Sequence, residues 1–192
     1  MIRFIFIFFP LLLFGQFDHV LTGIGLDIGS SGSGIFVTRQ YMHASDKFSL
    51  NGEWRFYDMK ADEEMVVYNY WGEPVNIGGI SLVMMPIFFG GNYYPFAGEI
   101  ANNFSPFITF RGGPIYTLDG DETGSFSERW SNPKSQWSVG GFIGVGIDFK
   151  WVSQSMVTLM VGGEILPLRE AADTKKDYSG LLIHIAFSRQ KR

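Results

Sequence analysis

Three histidines and no cysteine bound the nucleophilic and metal chemistry open to this chain. Without thiols there is no disulfide framework, no thiolate zinc site and no cysteine nucleophile. A serine hydrolase needs a histidine within about 3 Å of its nucleophile, with an acid behind it. His184 and Ser188 share one face of an alternating segment, but four residues of strand separate them by about 13 Å. Ser138 or Ser155 could serve only if a neighbouring strand carried it to His184, and no spacing singles out either. His19 lies near the start of the mature chain and His43 beside a turn, so neither joins an evident site. No residue is assigned a catalytic, cofactor or metal role, and a histidine satisfied inside the fold is the simpler expectation for His184.

The acids and bases are more suggestive. Asp27, Glu53, Arg55, Arg111, Asp148, Lys150 and Glu164 all fall on the polar face of alternating segments. Buried charges must be paired and hydrogen-bonded, so a plug of opposite charges is the first expectation. A narrow ion path and a catalytic site are the alternatives. Arg39 has no assigned face, because IFVTRQYM does not alternate cleanly. The run DGDETG places Asp119, Asp121, Thr123 and Gly124 as in a calcium loop, but its twelfth position is Trp130 where a bidentate Glu is needed, so a solvated acidic loop tip is expected. GSSGSG and GGFIGVG lack the lysine and the following helix of a phosphate-binding loop.

The composition says what kind of scaffold must position these groups. The 192 residues suit one domain, and a formal charge of −4 argues against a nucleic-acid partner. Charged residues make up 18% and aromatics 17% of the chain, so water-facing groups are scarce against a norm of about 25% charge. The opening MIRFIFIFFPLLLFG has one basic residue, Arg3, an apolar run from Phe4 to Phe14 and a small Gly15. That is the pattern of a secretory signal, too short to span a bilayer as a helix. Residues 1–15 are therefore expected to be a signal peptide and residues 16–192 the mature domain.

Period-2 alternation recurs through the mature chain and marks strands. The clearest is Gln136–Trp151, in which Trp137, Val139, Ile143, Val145, Ile147 and Phe149 alternate with Gln136, Ser138, Gly144, Asp148 and Lys150. Phe48–Tyr57, Ser155–Ile165 and Tyr178–Ser188 follow, with weaker members at Val20–Ile28, Ile35–Met42, Ile77 to about Tyr94 and Phe104 to about Pro114. Longer connections at Asp58–Asn76, Ile115–Ser135 and Leu168–Asp177 alternate with short ones such as Ala44–Lys47 and Val152–Gln154. Eight such strands predict an all-β, eight-stranded antiparallel up-and-down transmembrane β-barrel. A soluble lipocalin-like binder has the same strand count with its faces reversed. The polar face decides for the membrane form: it is dominated by Gly, Ser, Thr and Asn with isolated charges, which suits a narrow lumen better than bulk water. Trp137 and Trp151, with Tyr57, Tyr93, Tyr94 and Tyr178 near strand ends, are expected to form an interfacial girdle. Gly144, on the lumen face, is expected to tolerate Ser.

The whole mature chain resembles the small eight-stranded outer-membrane barrels of Gram-negative bacteria, the OmpX-like and OmpA-like group. Its end, YSGLLIHIAF, is similar to the terminal-strand signal read by the barrel-assembly machinery, with Tyr178, Gly180, Ile183, Ile185 and the aromatic Phe187. The stretch Asn102–Thr117, NNFSPFITFRGGPIYT, resembles a strand-start pattern in such barrels. The resemblance implies export, insertion into the cell outer membrane, and contact with outer-membrane lipids and lipopolysaccharide. It implies no activity, because one barrel supports many roles. The expected function is a non-enzymatic structural or surface-interaction protein with a filled polar lumen, no cofactor and an unknown extracellular ligand. Some eight-stranded barrels deacylate or acylate lipid A, so a lipid A-modifying enzyme is the rival.

Overall fold

The computed structural model describes residues 17–59, 65–68, 70–72, 74–77, 82–100, 103–121, 126–151, 154–172 and 175–190. The segment read as a signal peptide lies outside them. Eight antiparallel strands close into a barrel: β1 (Phe17–Gly29), β2 (Gly32–His43), β3 (Phe48–Met59), β6 (Leu82–Tyr93), β7 (Phe104–Asp119), β8 (Lys134–Lys150), β9 (Ser155–Ile165) and β12 (Gly180–Gln190). Each pairs with the barrel strand before and after it, and β1 closes the wall on β12. The fold is thus the all-β, eight-stranded up-and-down barrel that the alternation predicts.

The strand limits differ in instructive ways. Ile77 belongs to a separate hairpin, β4 (Met65–Tyr68) with β5 (Pro74–Ile77), and the barrel strand starts only at Leu82. A second small hairpin, β10 (Pro167–Ala172) with β11 (Lys175–Asp177), occupies most of the last connection. β7 runs on to Asp119, five residues past its expected end at Pro114. The glycine- and serine-rich first connection shrinks to Ser30 and Ser31, because Gly29 and Gly32 are already paired into the wall. Between β7 and β8 lies a single turn of helix, α1 (Phe126–Arg129). Asp121 and Trp130 flank it, while residues 122–124 of the acidic run lie outside the described residues.

One rim of the barrel carries both chain ends and the connections from β2 to β3, β6 to β7 and β8 to β9; the opposite rim carries both hairpins and α1. The outer wall is apolar over its height, with Ile24, Leu26, Ile35, Trp54, Phe110, Ile143, Val161 and Ile183 all exposed. Aromatic pairs ring the end-bearing rim. Phe17 packs edge-on to Tyr41 at 6.3 Å, Phe48 on Tyr93 at 5.1 Å and Phe104 on Phe149 at 5.6 Å, joining β1 to β2, β3 to β6 and β7 to β8. Tyr116 and Trp137, 4.9 Å apart, mark the other level. From Trp137 to Phe149 the strand covers roughly 40 Å, or about 28 Å of height at a 45° tilt. An apolar band of about 25 Å is what a lipid-embedded barrel presents.

The expected girdle needs correction. Trp137, Trp151 and Tyr93 do point outward, but Tyr57, Tyr94 and Tyr178 are buried. Parity explains Tyr57, which shares a face with Glu53 and Arg55. Tyr178 caps the barrel mouth, its hydroxyl donating to the Ala172 carbonyl at 3.1 Å. There it joins Leu166, Leu168 and Leu182 in an apolar lid over the hairpin-bearing end. Beside it, the Asp177 carboxylate accepts from the Ser179 hydroxyl and from the Ser179 amide at 2.9 Å, which hold its pKa below the usual range.

The interior is tightly filled where glycines line it. A Cβ at Gly144 would stand 2.5 Å from the Val161 carbonyl oxygen and 2.8 Å from Phe142 Cζ. The expected tolerance of Ser at Gly144 is therefore overturned. Gly144→Ser is expected to destabilise the barrel by about 1 to 3 kcal/mol, the usual cost of overpacking, as read from denaturant unfolding in vesicles.

Candidate functional site

The charges on the inner face converge. Asp27 comes from β1, Glu53 and Arg55 from β3, Arg111 from β7, Glu164 from β9 and His184 from β12, and all are buried. Alternation puts each on the inner face, and the cross-strand register brings them to nearby heights: Asp27 pairs directly with His184, while Glu164 pairs with Phe142. Arg55 is the hub. Its Nε donates to Glu53 and lies 3.6 Å from Asp27 Oδ2, while its Nη1 is 3.7 Å from Glu164 Oε2. Arg111 Nη1 donates to the other oxygen of Glu53. Tyr57 completes this layer, accepting from Arg55 Nη1 at 3.1 Å and donating to Glu164 Oε2 at 3.1 Å. Phe88 and Phe142 present their ring faces to the Arg55 guanidinium at 5.2 and 5.5 Å, so both hydrogen bonds and aromatic faces replace its hydration.

A second polar layer sits nearer the end-bearing rim. Tyr94 donates to Asp148 Oδ2 at 2.7 Å and accepts from Gln40 Nε2 at 2.8 Å. Gln40 also donates to Ser49 at 3.0 Å, and Asn51 donates to Asn92 at 2.7 Å. Lys150 lies at the end of β8, half-buried at the mouth. Six of the seven charges expected in the lumen are thus deep in it, and the seventh guards its opening.

Among the described residues, neither serine considered as a nucleophile is brought to His184. His184 Nδ1 is 2.7 Å from Asp27 Oδ1, which is the acid–histidine half of a triad. The Phe36 ring stacks on the imidazole at 3.9 Å, inclined by 17°. Ser155 lies on the opposite parity of β9 from the inward Met156. Ser138 is on the inner face, yet eight residues of strand, about 26 Å, separate it from Gly146, which lies level with His184 through Met160. Neither candidate nucleophile reaches the histidine. His19 and His43 sit at the rim, bonded to Gln190 and Ser45 at 2.8 Å each. Asp27, Glu53 and His184 do bring ligand atoms within 4.8 Å of one another, as a cation site would. Glu53, however, already accepts from two guanidiniums, which a metal would have to displace.

Sequence reasoning found the charged set but not its wiring. Arg39, which the uneven alternation of IFVTRQYM does not place, is exposed on the outer wall, its guanidinium 5.4 Å from the centroid of the Tyr41 ring. The outward neighbours Ile35 and Val37 carry the signal that could have placed it.

No family model matches the sequence, and no curated protein matches it significantly. Solved structures do. The N-terminal β-barrel domain of Pseudomonas aeruginosa OprF aligns over 92% of this chain and 100% of its own, with 8% identity and a TM-score of 0.53. Neisserial surface protein A, NspA, aligns over 90% of this chain and 93% of its own, with 9% identity and a TM-score of 0.51. The chain is therefore an eight-stranded barrel of the architecture seen in Gram-negative outer-membrane proteins, and at these identities the likeness is one of fold.

Proposed function

We propose that the chain is an exported, non-enzymatic outer-membrane barrel whose interior is a structural plug and whose loops make contacts at the cell surface. The observation that carries this reading is the placement of polarity: charges paired inside, an aliphatic wall outside and aromatic pairs at its boundaries. Water-filled surroundings would favour the opposite arrangement, and a lipocalin-like binder would need the apolar faces inside. The hairpin-bearing end would face the exterior and the chain ends the periplasm, following the long-loop and short-turn asymmetry of such barrels. At that outer end the β4–β5 hairpin displays Tyr70 and Trp71, 96% and 82% exposed, which is an unusual presentation for large aromatics on a surface that binds nothing. Against the lipid A-modifying alternative, neither Ser138 nor Ser155 reaches His184 among the described residues. The barrel-assembly machinery and lipopolysaccharide are the partners this location would supply.

Cell fractionation and lipid A mass spectrometry together test the reading. The protein is expected in the outer-membrane fraction, migrating faster on a gel unheated than boiled. The acyl pattern of lipid A is expected to be the same without the gene, with wild type overexpressed and with His184→Gln. Recovery as a soluble periplasmic protein would defeat the location. An acyl gain or loss seen with wild type and absent from His184→Gln would establish the enzyme instead.

A further inference from the structure

Two arginines interrupt the apolar outer wall side by side. Thr22 of β1 pairs with Arg189 of β12 on one flank and with Arg39 of β2 on the other. All three side chains are exposed and have outward parity. Strands stand about 4.8 Å apart, so the two arginine Cα atoms are roughly 10 Å apart with a hydroxyl between them. Neither guanidinium has a carboxylate partner among the described residues. The nearest acid along β1, Asp18, is about 13 Å of strand from Thr22. Arg39 leans over Tyr41, a member of the aromatic ring at the end-bearing rim, and Arg189 lies just beyond Phe187 on the last strand.

Next to this row the wall is indented. Gly52 pairs with Arg39 and puts no side chain on the outer face, leaving a trough of about 880 Å³. Val37, Leu50, Trp54 and Phe89 wall it, and Thr22 and Arg39 stand at its mouth. A paired cation site opening into an apolar trough is complementary to an anionic head joined to a hydrocarbon chain. Guanidinium groups bind phosphate through parallel N–H···O bonds, and a hydroxyl between them can donate a third.

We propose that Arg39, Thr22 and Arg189 hold the phosphate of an anionic diacyl phospholipid in the leaflet at the end-bearing rim, with one acyl chain lying in the trough over Gly52. This rests on the outer-membrane reading above. An unpaired arginine facing lipid is costly, and a fixed phosphate at the boundary removes that cost while the chain covers an otherwise empty indentation.

Native mass spectrometry of the refolded full barrel, titrated with phosphatidylglycerol, phosphatidylethanolamine or lipid A, tests the site. Folding of every variant is checked by heat-dependent gel mobility. Wild type is expected to retain phosphatidylglycerol at about tenfold lower lipid concentration than phosphatidylethanolamine, a preference that Arg39→Gln with Arg189→Gln abolishes. Gly52→Leu should weaken retention of both phospholipids, and it is compatible with the fold because an added Cβ meets only the Phe89 ring at 3.6 Å. Equal retention of the two phospholipids, unchanged phosphatidylglycerol binding in the double variant, preferred retention of lipid A, or a dimer in place of lipid adducts would each overturn the proposal. A wild type that never folds into vesicles would instead overturn the outer-membrane reading on which it rests.

Discussion

An Arg55→Met barrel is expected to lose about 3 to 5 kcal/mol of folding stability in bilayers, the cost of removing one partner from a buried ion-paired set. Methionine roughly fills the space, so the loss reports charge rather than a cavity. The Arg55 side chain is fully buried and touches Asp27, Glu53 and Glu164 at once. Without it Arg111 is the remaining arginine beside those acids among the described residues, and it reaches Glu53 alone, leaving Asp27 to His184 and Glu164 to the Tyr57 hydroxyl. Urea unfolding in vesicles measures the effect. Because the pairs are sequestered from solvent, added salt should change it little. A loss below about 1 kcal/mol would mean that the plug is dispensable and that the barrel is held by its wall.

The second large effect belongs to that wall. Ile143→Arg and Val145→Arg should each destabilise the barrel by about 2 to 4 kcal/mol, whereas Trp137→Arg, at the boundary, should cost about 1 kcal/mol or less. Ile143 lies between Phe110 and Gly163, and Val145 between Ile108 and Val161, so a guanidinium placed there finds no partner on either neighbouring strand. Ile143 is also midway along β8 between Trp137 and Phe149, the farthest point from both aromatic levels. Folding free energies in the reverse order would mean that the exposed apolar face meets water rather than lipid.

The two faces were legible in the sequence because a strand repeats every second residue, and parity alone sorts lumen from wall. β8 could be read almost residue by residue. Parity also selected Asp27, Glu53, Arg55, Arg111, Asp148 and Glu164 as interior groups. Their partners were not legible, since the contact between Arg55 and Glu164 depends on the offset between strands more than a hundred residues apart. The hairpins were hidden for a related reason. β4 and β5 are four residues each, too short for alternation to stand out from a loop. The tyrosines mislead because nearness to a strand end says nothing of parity, which places Tyr57 beside Arg55. Gly144 shows the limit of reading small residues as free space: its missing side chain is already occupied by the Phe142 ring and the neighbouring backbone.

The seam between β1 and β12 has a consequence for how such a chain is made. It joins the first barrel strand to the last, and the Gln190 side chain meets His19 across it. No complete wall can exist until β12 has left the ribosome, so until then β1 and β9 each keep an unpaired edge beside an apolar outer face. Exposed edges of that kind invite aggregation. The interval between synthesis and closure is therefore the most hazardous in the life of the molecule, and an escort that shields apolar strands would matter more to its yield than the stability of the finished cylinder.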